Sequence, residues 1–282
     1  MRKQQVILLA SAALLFVLIY FFVNKTPPKQ PGEAKLELPA RDSALMAPVD
    51  VLAAEKEKLS SAQTTQLKAL ESRLNAQSVA ARISAYHSLS HYWKDSLKNL
   101  PVAAYYLGEK AKLENSEKNL NFAANSLLNY LMVEHDPSKQ RWIAKQTKEL
   151  FERSLKINPA NDSTVIGLGA TYMFGNISDN PMEGIMKVRQ VAERDSANTY
   201  AQMMLGLGGM KSGQFDNAVK RFEKVLQKEP DNLLAIFSIA ESYERLSDKA
   251  NAIKWYTIAR GKVNLEQAKQ DIDARIRELK MK

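Results

Sequence analysis

The chain of 282 residues carries forty Lys and Arg against thirty-one Asp and Glu, a formal charge of +9, with 45% hydrophobic and 25% charged residues. This balance excludes a disordered chain, a collagen-like fibre and a polytopic membrane protein. There is no cysteine, which excludes disulfide frameworks, thiol nucleophiles, iron–sulfur ligation and Cys-based zinc sites.

A short basic tail, 1–5, with Arg2 and Lys3, precedes Val6 to Val23, eighteen residues without a charge. At 1.5 Å per residue this segment is roughly 27 Å long, close to the hydrocarbon thickness of a bilayer. The run is longer than a cleavable h-region, and the residues after it, Phe21, Phe22, Val23 and Asn24, make a poor cleavage site. An uncleaved single-pass anchor is therefore expected over 6–23. Lysines and arginines lie on both sides of the span, so the charge rule does not orient it. The very short basic tail favours an inward N-terminus and an outward domain.

Residues 24–47 read as a linker: Pro27, Pro28, Pro31 and Pro39 set φ and remove donors, giving a semi-extended spacer. Between 48 and 77, Leu52, Leu59, Leu67, Leu70 and Leu74 recur near helical spacing. One long amphipathic helix or a helical hairpin is expected there, packed on the following helices. The same leucines would also serve to pair two copies into a homo-oligomer, although Lys56, Gln63 and Gln66 interrupt the heptad.

The charge outside the first 41 residues is only +5 and diffuse. The densest basic run, Lys139, Arg141, Lys145 and Lys148, is soon followed by Glu149 and Glu152, the pattern of a solvated helix face rather than a nucleic-acid surface. No nucleic-acid partner is expected.

Downstream, no strand alternation occurs, and turn signals return about every 34 residues. Leu205, Gly206, Ala218, Phe222, Val225 and Pro230 are followed at the same offset by Ile239, Ala240, Ala252, Tyr256 and Ala259. A further copy beginning at Asp162 holds Leu168, Gly169, Tyr172, Gly184, Val188 and Val191, with three residues inserted in its NISDNP turn. These residues resemble the tetratricopeptide repeat (TPR), whose pattern is Leu-Gly-x2-Tyr, Ala-x3-Phe and Pro. The expected trio of repeats covers 162–264. Two divergent TPR-like hairpins are expected over 78–161, and a capping helix over 265–282 with Leu265, Ala268, Ile272, Ile276 and Leu279 on one stripe. The fold class expected is all-α: a transmembrane helix, then an α-solenoid of antiparallel helix pairs.

Chemistry is scarce. His87 and His91 are spaced i, i+4, but Ser88 stands where a zincin has Glu, and Tyr86, Tyr92 and Trp93 surround them. Packing or interfacial roles outweigh a metal site, and no phosphate loop, dinucleotide fingerprint or nucleophile elbow occurs. Neither an enzyme nor a cofactor is expected.

In TPR proteins the concave face is lined by the first helix of each pair. The resemblance carries this face onto Ile166, Met173 and Phe174, onto Tyr200, Met203, Leu207, Met210 and Lys211, and onto Phe237, Glu241 and Arg245, with Ser163, Ala170, Leu234 and Glu244 beside them. This implies an apolar, methionine-rich groove with a charged end. Such a groove suits an apolar helix or peptide of a partner protein, or the chain's own helices. Anchor, spacer and repeat together look like bacterial inner-membrane TPR proteins that face the periplasm, among them accessory subunits of the Sec translocon and of cytochrome c maturation. The expectation is an envelope scaffold or chaperone-like adaptor. The alternatives are a cytosol-facing receptor or assembly factor, a structural oligomer with a self-filled groove, and a metal enzyme at His87 and His91.

Overall fold

The computed structural model describes residues 48–177 and 181–281. The expected anchor and linker, and residues 178–180 of the inserted turn, lie outside the described residues. Among the described residues no helix is long and apolar enough to cross a membrane, and no strand occurs.

The helices in chain order are α1 (Pro48–Glu57), α2 (Ser61–Glu71), α3 (Val79–His91), α4 (Leu100–Glu114), α5 (Glu117–Leu131), α6 (Pro137–Ile157), α7 (Asp162–Phe174), α8 (Met182–Arg194), α9 (Thr199–Lys211), α10 (Phe215–Lys228), α11 (Leu233–Arg245), α12 (Lys249–Lys262) and α13 (Glu266–Met281). They fall into two compact units, divided within α8 between Lys187 and Val188.

Local chemistry sets most helix starts. Asn161, Asn198 and Asn232 each accept a hydrogen bond at 3.0 Å from the backbone N–H of the third helical residue, Thr164, Ala201 and Ala235. An asparagine cap before the first helix recurs across 162–264, whereas serines, Ser78 and Ser116, cap α3 and α5. At Ser60 the cap is reciprocal. The Gln63 N–H donates to Ser60 Oγ at 3.2 Å, and the Ser60 N–H donates to Gln63 Oε1 at 2.9 Å. This capping box restarts the helix, so residues 48–77 form a hairpin of α1 and α2, with a 3-10 turn at Ser72–Asn75, rather than one long helix.

In the first unit α3 pairs with α4 and α5 with α6, and α7 packs on both α5 and α6. A π-helical turn, Tyr92–Ser96, joins α3 to the α4 connection. The N-terminal hairpin covers the outer side of the α3–α4 pair. Leu67 is buried with Leu89, Tyr92, Trp93, Val102 and Tyr106, and Leu52, Leu59, Leu70 and Leu74 pack against that cluster. The leucines that would have zipped two copies together are thus taken up within one chain. Buried Glu55 pins α1 in place: its Oε1 lies 2.8 Å from both Lys139 Nζ and Lys58 Nζ, and Asn99 Nδ2 donates to its Oε2 at 3.0 Å. Burial pushes this carboxyl up, but the lysine hydrogen bonds outweigh it and hold the pKa below the ordinary carboxylate value.

In the second unit α9 pairs with α10 and α11 with α12, α10 packs on α11, and α13 closes the array on α12. The repeat's small–large pairing explains how close each pair comes. A Cβ on Gly206 would stand 2.5 Å from Cε1 of Phe222. One period later, fully buried Ala240 and Tyr256 occupy the same offsets. In the first unit Gly167 meets Phe151 just as tightly, at 2.4 Å from Cζ. Three buried hydroxyls donate to the preceding turn: Thr147 to Ile143, Thr171 to Gly167 and Ser242 to Ser238, at 2.7–2.8 Å. Gly213, at φ +75°, turns the chain between α9 and α10 in the left-handed region that favours glycine.

Of the stripe expected on the capping helix, Ala268, Ile272 and Leu279 are buried and Ile276 is half-buried. Leu265 is exposed instead, because the helix starts one residue after it, at Glu266.

Candidate functional site

The first helices of successive pairs lie side by side: α5 beside α7 in the first unit, and α9 beside α11 in the second. Each therefore presents one face of its turns to its neighbour and an adjoining face to the outside. The expected groove residues divide along this line. In the first unit Ile166, Met173 and Phe174 are all buried. In the second unit Met203 and Phe237 are buried too, whereas Tyr200, Leu207 and Met210 are half-buried and Lys211 and Arg245 are exposed. Most apolar positions of the expected groove are thus enclosed by packing; Phe237, for one, meets the Tyr256 ring of its pair partner α12, centroids 6.4 Å apart. The part that reaches solvent in the second unit is narrower: Tyr200, Leu207 and Met210 on α9, ending at Lys211, with Arg245 on α11.

Electrostatics mark the same ends. Burial pushes the Tyr200 phenol up to about 12, and desolvation lowers the Lys211 ammonium from its usual value. Glu241, only 8% exposed, is pushed up to about 7 by burial, with Arg245 opposing the shift and neighbouring Glu244 reinforcing it. Its ion pair with Arg245 is long, at 3.6 Å. The adjacent Glu244 is better held. It takes a guanidinium fork from Arg275 of α13, with Arg275 Nε 3.1 Å from its Oε2, and Tyr256 Oη donates to that same oxygen at 3.1 Å.

Phe122 was not among the expected site residues. It lies on α5 and is 64% exposed, beside exposed Lys118 and Asn129 on the same helix. The sequence signal was present: at the sixth position of its helix, phenylalanine interrupts a face that is otherwise Lys118, Asn125 and Asn129. An aromatic at helical spacing reads as core until the packing shows otherwise.

His87 and His91 are both exposed, their rings edge to face with centroids 4.5 Å apart. His91 Nδ1 lies 2.9 Å from Asp95 Oδ2. Among the described residues no group of three or more His, Asp or Glu is placed to hold a metal ion. The basic run on α6 is partly neutralised: Lys139 pairs with Glu55 and Lys148 with Glu152.

No protein-family profile and no curated protein matches the sequence. Among solved structures, the chain is similar to MamA 41-end from Desulfovibrio magneticus RS-1, at 18% identity over 64% of this chain and 94% of that one, TM-score 0.43. It is also similar to YrrB, a TPR protein with an unusual peptide-binding site, at 16% identity over 73% and 96%, TM-score 0.41. A third similar structure is MamA AMB-1, at 20% identity over 71% and 98%, TM-score 0.36. Independently of these likenesses, the helix order, the asparagine caps and the small–large pairing describe a TPR-like array of antiparallel helix pairs.

Proposed function

We propose that this chain is a non-enzymatic protein-interaction scaffold or chaperone-like adaptor of the bacterial cell envelope. On this reading residues 6–23 anchor it in the inner membrane, the linker lifts the helical array away from the bilayer, and the array faces the periplasm. It binds an apolar helix or peptide of a client or of a membrane-complex subunit.

The observation that carries the reading is the half-buried row Tyr200, Leu207 and Met210, which runs along α9 to the cationic Lys211 beside α11. Half-buried apolar side chains on a packed helix offer surface whose ordering is already complete, so a partner gains burial without rearranging the scaffold. Methionine adapts its shape to different partners. The anchor and the periplasmic orientation are supported by the charge-free span and its short basic tail.

The test is a photo-crosslinking residue at Met210 in native membranes, with captured species identified by mass spectrometry. A discrete foreign protein is the expected product, and Met210→Glu abolishes its capture while the circular dichroism spectrum is unchanged. Crosslinks confined to the chain itself overturn the reading. Protease accessibility of a C-terminal tag in spheroplasts tests the orientation, and protection there favours the cytosol-facing alternative.

The self-filled alternative is favoured by one observation at the end of the array. The Glu244 carboxylate, on the expected groove register, is already occupied by Arg275 of the chain's own last helix.

A further inference from the structure

The contact between α13 and the last helix pair has two parts. The apolar part is small: of sixteen residues, only Ala268, Ile272 and Leu279 are buried, with Ile276 half-buried against the same cluster. By contrast α11, three residues shorter, buries every position from Ala235 to Ser242. The polar part is specific. Arg275 forks onto Glu244 of α11, and Arg260 Nε of α12 lies 2.6 Å from Asp273 Oδ1. The connection Val263–Leu265 is non-helical and hangs on one buried side chain, Val263.

A terminal helix that packs on one neighbouring helix through three buried side chains, with ion pairs open to solvent, lies at the low end of a protein's local stability. Beneath it is the Glu244 carboxylate that Arg275 engages, next to an apolar floor that includes Ile236, Phe237, Tyr256 and Ala259. A carboxylate beside an apolar floor is complementary to an amphipathic helix that carries a guanidinium at the edge of its apolar stripe.

We propose that this face is a docking site for an arginine-bearing amphipathic helix, which α13 occupies in cis and which a partner helix of the same chemistry takes in its place. The partner presents apolar residues with the spacing of Ala268, Ile272 and Leu279, and an Asp and an Arg placed as Asp273 and Arg275 are. The inference deepens the scaffold reading and rests on it: it names the kind of helix the array receives and makes the last helix a gate on that end.

The test uses the full chain and a fluorescein-labelled synthetic peptide with the sequence of residues 264–282, followed by anisotropy. Arg275→Glu in the protein breaks the cis contact and sets a carboxylate against Glu244. The labelled peptide is expected to bind this variant at least tenfold more tightly than it binds the unaltered chain. A peptide carrying Arg275→Glu fails to bind. Adding Glu244→Arg to the Arg275→Glu protein restores a pair of opposite sign and closes the site again. Ile272→Ala, which leaves both charged contacts intact, opens the site by a route independent of charge and serves if Arg275→Glu loses helical signal. Equal binding to the unaltered and altered proteins overturns the proposal, as does absence of binding to both folded variants. If Met210 crosslinks a foreign protein while the peptide fails, this docking site alone is removed; if both fail, the scaffold reading goes with it.

Discussion

Glu55 on α1 and Lys139 on α6 meet at 2.8 Å, and the same carboxylate receives Lys58 and Asn99. This contact ties the N-terminal hairpin to the α5–α6 pair rather than only to the α3–α4 pair it covers. The carboxylate is buried and each of its oxygens has a donor, so removing it leaves Lys139 facing an emptied polar site.

Glu55→Ala is expected to cost about 1 kcal/mol, because the lysines it leaves, with side chains 41% and 61% exposed, regain water. Amide exchange of residues 48–57 is expected to accelerate more than that of α5, because the loss falls on the docking of α1. Exchange rates that change uniformly along the chain speak against this lock. The carboxyl's lowered pKa gives the contact an acid limit: its stabilisation is present above the unfolded pKa and is lost as pH falls below the ordinary carboxylate range.

Two glycines predict opposite signs for the same substitution. A Cβ on Gly206 falls 2.5 Å from the Phe222 ring, whereas a Cβ on Gly261, in α12, meets nothing within 4 Å. Gly206→Ala is expected to destabilise by about 1–3 kcal/mol through overpacking, despite a better helix propensity. Gly261→Ala is expected to stabilise by about 0.5–1 kcal/mol through reduced unfolded-state entropy. Urea denaturation of both variants decides the matter, and Phe222→Leu added to Gly206→Ala should recover most of the loss.

Glu241 predicts a stability that falls with rising pH. Its carboxyl is pushed up to about 7 in the folded chain from 4.5, so the native state holds a proton that the unfolded state releases. That contribution is full below pH 4.5 and is lost as pH rises through 7. Glu241→Gln removes the titration, and above pH 7 the variant should be more stable than the unaltered chain, by at most about 3 kcal/mol. Thermal melts between pH 5 and 8 that show no difference in slope for the variant would sink this assignment.

Phe122 and Phe151 separate surface from core. Phe122 is 64% exposed and Phe151 is fully buried against Gly167. Phe122→Ser is expected to change stability by under about 0.5 kcal/mol, while Phe151→Ala costs about 3–5 kcal/mol. A large loss for Phe122→Ser, measured by chemical denaturation, would mean that its ring packs on something in solution.

Much of the architecture is written in short-range pattern. Gly206 and Phe222, and one period later Ala240 and Tyr256, give the repeat and its small–large contact. The asparagines at 161, 198 and 232 start the first helices, and the break at Ser60 is legible in the Ser60–Gln63 capping box once a hairpin is considered beside a single helix. All of these act within a helix pair or within one turn, and a local pattern predicts local contacts.

The identity of the open surface was not written in that way. Ile166, Met203 and Phe237 share the register of groove residues, yet all three are buried, while aromatic Phe122 is left in solvent. Nor does spacing in the chain bring Glu55 to Lys139, or Arg275 to Glu244. The sequence by itself determined an all-helical chain of paired helices with a charge-free N-terminal segment, because period, caps and composition are properties of neighbouring residues. The tertiary structure decided which apolar faces are consumed in packing, where the terminal helices dock and which carboxylates are desolvated. Burial and ion pairing depend on how closely elements distant in the chain approach one another, and no single helix carries that information.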